Sequence, residues 1–375
     1  MDHPQCAVFF LEEDSSIPAH GKPLMLEAVL FCPILRWMSD KLLADGVRRF
    51  FAVCSPRFAE EARACFPADA DVTVSEQHSA LLDFLSTPDP VAVFVHPALP
   101  AEEAGPGFAY AAPGYELQDV WKEKMTNAVS AAELLSGWLP VFNLETVAEL
   151  EPLFRERIVR AHIRAGVRVL DPAAVYIDPR VTVGPGTLLL PGTILRGQTR
   201  IGSRCTIGPN AMVRDCTIGD ETEINASQVN ESTVGSRTHV GPFAYVRPGC
   251  TIGDDIKVGD FVEVKNSSIG DGTKISHLTY VGDSDVGSCV NFGCGTVTTN
   301  YDGVKKYRCT IGDNAFIGCN TNLVAPVTVG EGSYIAAGAT ITRDVPADAL
   351  AVARAKQENK EGWAKRRRRL YGQEK

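Results

Sequence analysis

"VTVGPGTLLLPGTILRGQTRIGSRCTIGPNAMV", residues 181–213, places Val183, Leu189, Leu195, Ile201, Ile207 and Val213 six positions apart. An amphipathic helix repeats every 3.6 residues and a half-buried strand every two, so neither gives this interval. A parallel β-helix does, because each six-residue segment forms one short face and three faces make a coil. The series runs on, with occasional five-residue steps, through Ile218, Ile224, Val229, Val234, Val240, Val246, Ile252 and Val258. It resumes as Ile311, Ile317, Leu323, Val329, Ile335 and Ile341, and a glycine or other small residue commonly follows the anchor. About nine coils are expected, with aliphatic ladders inside and stability summed over neighbouring coils.

One stretch lapses from this rhythm. "NFGCGTVTTNYDGVKKYRCTIG", residues 291–312, inserts an Asn, a Tyr and a pair of lysines where the aliphatic anchors should continue. A solenoid buries its inward residues, so function is expected on outward positions, on loops that leave the coil, or at seams between subunits. The excursion at 299–310 is such a loop.

Upstream, "NLETVAELEPLFRERIVRAHIRAG" (143–166) reads as a helical connector, with Asn143 as N-cap, Gly166 as stop, and Pro152 kinking it or marking a second start. The first part of the chain reads as α/β. "CAVFFL", "RRFFAVC" and "PVAVFV" are expected as strands and "LEAVLFCPILRWMSDKLLADG" as a helix ending at Gly46. Gly, Ala and Pro between Ala101 and Gly114 suggest a loop.

With 375 residues, 45% hydrophobic and 22% charged, the chain is ordinary globular material, long enough for two domains. A net charge of -9 argues against a nucleic-acid or membrane-surface binder, which would need a broad basic face. No run approaches a membrane span, and acids flank the first apolar stretch where a signal peptide would have none, so a cytoplasmic protein is expected. The 11 cysteines form no CxxC pair and have no histidines at ligand spacing, so reduced thiols and no metal are expected.

Eight motifs in order carry a resemblance: "DPAAVYIDP", "GPFAYVRPG", "GDFVEVKNS", "SHLTYVGD", "NFGCGTVTTNYDGVKK", "FIGCNTNLVAPVTVG", "IAAGATITRDVP" and "KEGW". With their spacing, the C-terminal half resembles the acetyltransferase domain of the bacterial bifunctional N-acetylglucosamine-1-phosphate uridyltransferase/glucosamine-1-phosphate acetyltransferase family. The resemblance implies a left-handed parallel β-helix that forms a homotrimer, with acetyl-CoA and an amino sugar phosphate bound between subunits. Carried over by motif, His277 would be the general base. Arg247, Lys265, Tyr280, Asn291, Asn300 and Lys306 would meet the sugar phosphate, the cations supplying charge-assisted hydrogen bonds to a dianion. Cys294 (through its backbone amide), Tyr301, Cys319, Ala337 and Arg354 would meet acetyl-CoA. Cys294 and Cys319 stand where the family usually has Ala and Ser, respectively. His239, in "THVGPF", is read as structural, at an outward position similar to that of His277, and Asp302 and Gly303 as turn-formers. The run Arg366 to Arg369 is read as a solvated tail.

In the family the first strand enters a glycine-rich loop, L-A-A-G-x-G-T-R-M, that holds a nucleoside triphosphate. Here it enters Glu12-Glu13-Asp14, which repels a triphosphate, although "HGKPL" (20–24) still matches a later family element. The expected organisation is a degenerate nucleotidyltransferase-like α/β domain (1–140), a helical linker (141–167), a left-handed β-helix (168–346), and a C-terminal arm with a basic tail (347–375). The expected activity is glucosamine-1-phosphate N-acetyl transfer without uridylyl transfer. The alternatives are another amino-sugar or sugar-nucleotide acetyltransferase, a bifunctional enzyme that keeps uridylyl transfer, and a non-catalytic regulatory subunit.

Overall fold

In the computed structural model, residues 5–13, 21–86, 91–94, 96–101, 110–111 and 138–373 are described. They form two compact units, one of Met1–Thr182 with Leu189–Thr199, the other of Val183–Leu188 with Arg200–Lys375.

The first unit contains a sheet in the order Asp71–Val74, Arg49–Val53, Cys6–Phe10, Val91–Phe94 and Tyr110–Ala111, the last strand antiparallel. Cys6–Phe10 pairs in parallel on both sides, Val8 standing beside Phe51 and Val93, and all five of its residues are buried. A parallel strand covered on both faces has to be apolar throughout, which "CAVFF" is. Phe9 stacks between Phe50 and Phe94, at 6.3 and 5.3 Å between ring centroids.

The helix expected over residues 26–46 is shorter and covers only Ile34–Ala44. Ala28–Val29 instead turns back on Cys32–Pro33 through Leu30 and Phe31, both at positive φ. The cause is Pro33, which lacks an N–H and pushes Cys32 out of the helical region, so the helix can begin only after it. Gly46, at φ 101°, does end it. The loop expected between Ala101 and Gly114 lies almost wholly outside the described residues.

The connector is a single helix, Leu144–Arg164, with no second start at Pro152. Asn143 caps it, its side-chain oxygen accepting from the Thr146 amide at 2.8 Å. Val147, Phe154 and Val159 are buried, and Phe154 meets Trp37 edge-on at 5.2 Å. Burial of this face holds the helix together across the bond that Pro152 cannot make. Within the same unit the Arg196 guanidinium lies over the Phe31 ring at 4.7 Å.

The repeats form a parallel β-helix with three sheets of 11, 10 and 9 strands. Every anchor of the hexad series is buried, and the anchors stack in register: Ile201 pairs Ile218, Ile218 pairs Val234, Val234 pairs Ile252. The small residue after the anchor has a steric cause. A Cβ built on Gly219 would lie 2.6 Å from the backbone of Gly235 in the next coil. Buried threonines satisfy the corners, Thr222 and Thr273 donating to the carbonyls of Gly235 (2.7 Å) and Gly287 (2.9 Å) one coil on.

Candidate active site

Register fixes which outward side chains become neighbours. Asp260 pairs with His277 across adjacent coils. Beyond the strands the alignment continues: Phe292 pairs Ile317 and Ile317 pairs Ile335, so two residues later Cys294, Cys319 and Ala337 share a level. Ile275 pairs Phe292, which places His277 at the level of Cys294. Backbone bonds carry the same column, the Asn320 amide donating to Cys294 O and the Gly338 amide to Cys319 O, both at 2.8 Å. His277, Cys294, Cys319 and Ala337 thus descend one edge of the solenoid on successive coils, roughly 4.8 Å apart. Arg354 belongs to the same end, its Cδ 3.7 Å from a Cβ built on Gly338.

His277 Nδ1 lies 2.6 Å from Asp260 Oδ1. That hydrogen bond, chiefly, holds the Asp260 carboxyl below the usual carboxylate range. His239 is not equivalent. It stands level with Lys257, three residues before the corner that Asp260 and His277 occupy, and pairs with Glu223 at 3.2 Å.

A second cluster gathers at the next corner. Val246 pairs Val264, so Arg247 stands level with Lys265, which in turn pairs Gly282. The centre is Asp283, 4% exposed. Its carboxylate accepts from Asn266 Nδ2 at 2.6 Å, from Lys265 Nζ at 3.2 Å and from Asn300 Nδ2. Burial works against its charge, but the three donors outweigh burial and keep the carboxyl below its ordinary range. Asn300 also donates to the Tyr280 hydroxyl at 3.3 Å. Tyr280 lies over Gly282, where an added Cβ would come within 2.3 Å of the phenol oxygen.

Lys306 adjoins Lys265, and the two amines divide their roles. Burial disfavours the Lys265 charge, yet its bond to Asp283 and the neighbouring amine carry its pKa above the usual value. The hydrogen bond and charge of Lys265 push Lys306 down. Arg247 leans on Glu263, Nη1 to Oε1 2.8 Å, and that bond raises its pKa.

The excursion is a small hairpin on this corner. Tyr301 bridges Lys306, Tyr307 N donates to Asn300 O at 2.9 Å, and Asp302 Oδ1 accepts from the amides of Val304 and Lys305. Gly303 turns it at φ 96°. Arg308 pins its return through two bonds to Asp285 and one each to the carbonyls of Ser284 and Asn266.

The structure therefore brings Lys265, Tyr280, Asn300 and Lys306 together, with Arg247 one coil away. His277, Cys294, Cys319 and Ala337 share another edge. Asn291 lies apart from both, at mid-face beside Lys274 and Phe316, and Tyr301 is 55% exposed. Sequence reading missed Asp260, Glu263 and Asp283, which lie one coil from His277, Arg247 and Lys265, and Asn266, one coil from Asp283. Among the described residues no group of three or more His, Cys, Asp or Glu could hold a metal, and no helix is long and apolar enough to cross a membrane.

Residues 171–276 match the GMPPB C-terminal domain family and residues 308–343 the bacterial transferase hexapeptide (six repeats) family. The bifunctional protein GlmU of Geobacillus sp. (strain WCH70) is 52% identical over 220 residues, 59% of this chain and 48% of that protein. The bifunctional protein GlmU of Clostridium beijerinckii is 53% identical over 217 residues, 58% of this chain and 48% of that one. The chain spans about half the length of these curated relatives. Among solved structures, Arabidopsis UDP-N-acetylglucosamine acyltransferase aligns with a TM-score of 0.37 and 18% identity, over 56% of this chain and 72% of that one. The C-terminal half of this chain thus carries hexapeptide repeats of the bacterial transferase type and is similar, at about half identity, to the bifunctional proteins GlmU.

Proposed function

We propose that this chain transfers the acetyl group of acetyl-CoA to the amine of glucosamine 1-phosphate, giving N-acetylglucosamine 1-phosphate and free coenzyme A. The observation that carries the reading is the division of the site residues between one edge and one corner. A base and the thioester-side positions run down the edge, while Arg247, Lys265 and Lys306 gather at the corner beside Asn300 and Tyr280. Lys265 and Lys306 beside Asp283, with Arg247 and its partner Glu263 one coil away, offer donors and positive charge to a phosphate dianion. His277 takes the proton as the amine attacks the thioester carbonyl; the N–C bond forms, the C–S bond breaks, and the proton passes to the departing thiolate. The Cys294 amide serves as a donor to the oxygen on which charge develops.

Edge and corner belong to different corners of one coil, so we assign the complete site to a homotrimer in which a neighbouring subunit brings its edge to this corner. In the N-terminal part, Glu12 and Glu13 follow the first strand, and Lys22 is tied to Glu61 at 2.6 Å. Both features oppose triphosphate binding, and we assign no uridylyl transfer to this half. The test is coenzyme A release from acetyl-CoA against a panel of amino sugars, with light scattering on the same sample. Glucosamine 1-phosphate is expected as the preferred acceptor and a trimer as the active species. Preference for an unphosphorylated or nucleotide-linked amino sugar would reassign the acceptor, and an active monomer would exclude the shared site.

A further inference from the structure

We propose that Asp260 is a positioning residue for His277, fixing the imidazole in the tautomer and orientation that a base requires. This rests on the reading of His277 as the base. The two side chains meet because their strands, Lys257–Asp260 and Lys274–His277, are four residues long where most in the solenoid have two or three. The ladder therefore persists to the corner and aligns Asp260 with His277. Gly259 allows the approach, since a Cβ there would lie 2.0 Å from the Ser276 carbonyl oxygen. The backbone around the pair is tied as well. The Leu278 amide donates to Asp260 O at 3.0 Å, and the Thr279 hydroxyl donates to His277 O at 2.6 Å.

An ionised carboxylate can only accept, so at 2.6 Å the imidazole Nδ1 carries the hydrogen, and in the neutral ring the lone pair is then on Nε2. Both side chains are partly open, His277 at 54% and Asp260 at 38%, so Nε2 is reachable from solvent or substrate without rearrangement. When Nε2 takes a proton, the imidazolium faces a negative charge already in place, and this stabilises the charge that develops during transfer. The other titratable groups around the pair are Lys257, which acts on Asp260, and Cys294, level with His277 on the following coil. Asp260 touches neither substrate in this account; it works through His277.

The experiment compares wild type, Asp260→Ala, Asp260→Asn and His277→Ala in coenzyme A release across pH, together with 15N NMR of labelled histidine. Asp260→Ala is expected to lower kcat by about 10²-fold, with both KM values little changed. Asp260→Asn keeps an acceptor for Nδ1–H but not the charge. It should therefore recover part of kcat while the acid limb of the kcat profile moves to lower pH. Wild type should show His277 protonated at Nδ1, and Asp260→Ala a mixture of tautomers. If Asp260→Ala keeps wild-type kcat and acid limb while His277→Ala is inactive, the role of Asp260 is overturned and the base stands. If His277→Ala itself turns over normally, the reading of the base fails and this proposal with it. A wild-type spectrum with the proton on Nε2 overturns the proposal whatever the kinetics.

Discussion

Under the proposed function Arg247 and His277 are expected to fail differently when removed, because one side chain would hold the substrate and the other would act during transfer. His277→Ala should lower kcat by ~10²–10⁴-fold with KM nearly constant. In that reading Arg247 would bind the phosphate in ground and transition states alike, so Arg247→Ala should raise KM for the sugar phosphate instead. Raising pH should partly restore the first variant, since more of the amine is then neutral, and should do nothing comparable for the second. Steady-state kinetics at two pH values separates these outcomes. Asp283 makes a different prediction. Its folded-state pKa is depressed, so its contribution to stability is present above the ordinary carboxylate range and is lost as pH falls through the folded value. Asp283→Asn should cost about 1–3 kcal/mol at pH 7, and the gap to wild type should narrow as the solution is acidified, readable as Tm against pH. At this scale the motif residues were legible and their partners were not. Asp260 lies 17 residues before His277 and Asp283 lies 18 after Lys265, separations that become contacts only once the length of a coil is known.

Glycines after the anchors make the solenoid unforgiving of small additions. Gly219→Ala drives a methyl into backbone atoms 2.6 Å away that no rotamer change can relieve. A loss of about 1–3 kcal/mol is expected in urea unfolding; an alanine at Gly303 meets nothing within 4 Å, so its loss of about 1–2 kcal/mol comes from the φ of 96° alone. A Gly219→Ala protein as stable as wild type would mean that the coils can separate locally. The hexad period was readable because inward positions admit only aliphatic side chains, and each of those anchors is buried. The helix over 26–46 was misjudged for the opposite reason. Its apolar residues suit a helix or a buried hairpin equally, and Pro33 decides between them. Pro152 had the reverse outcome, because the burial of Val147, Phe154 and Val159 outweighs one missing hydrogen bond.

The whole molecule pairs an intact-looking solenoid with an N-terminal sheet whose first strand leads into acids. The purified 375-residue chain with UTP and a sugar 1-phosphate is expected to release no pyrophosphate above background; release that disappears when Glu12 and Glu13 are left untouched but Lys22 is replaced would reinstate nucleotidyl transfer. Sequence reading placed boundaries after residues 140, 167 and 346, whereas the connector helix buries Phe154 in the core of the first unit and residues 189–199 group with that unit as well. Such an arrangement is visible only when side chains meet in space. The hairpin at 300–308 has a consequence of another kind. It leaves and rejoins the coil at hydrogen-bonded neighbours, Asn300 and Tyr307, while the flanking strands Val297–Thr299 and Cys309–Ile311 stay in register with their own ladders. Asn300 and Arg308 anchor its two ends to Asp283 and Asp285, and the turn between them, Tyr301 to Lys305, is set apart from the pitch of the scaffold. Under the proposed function, natural selection could rewrite this turn, trading one acceptor molecule for another, while the repeating architecture beneath it is inherited unchanged.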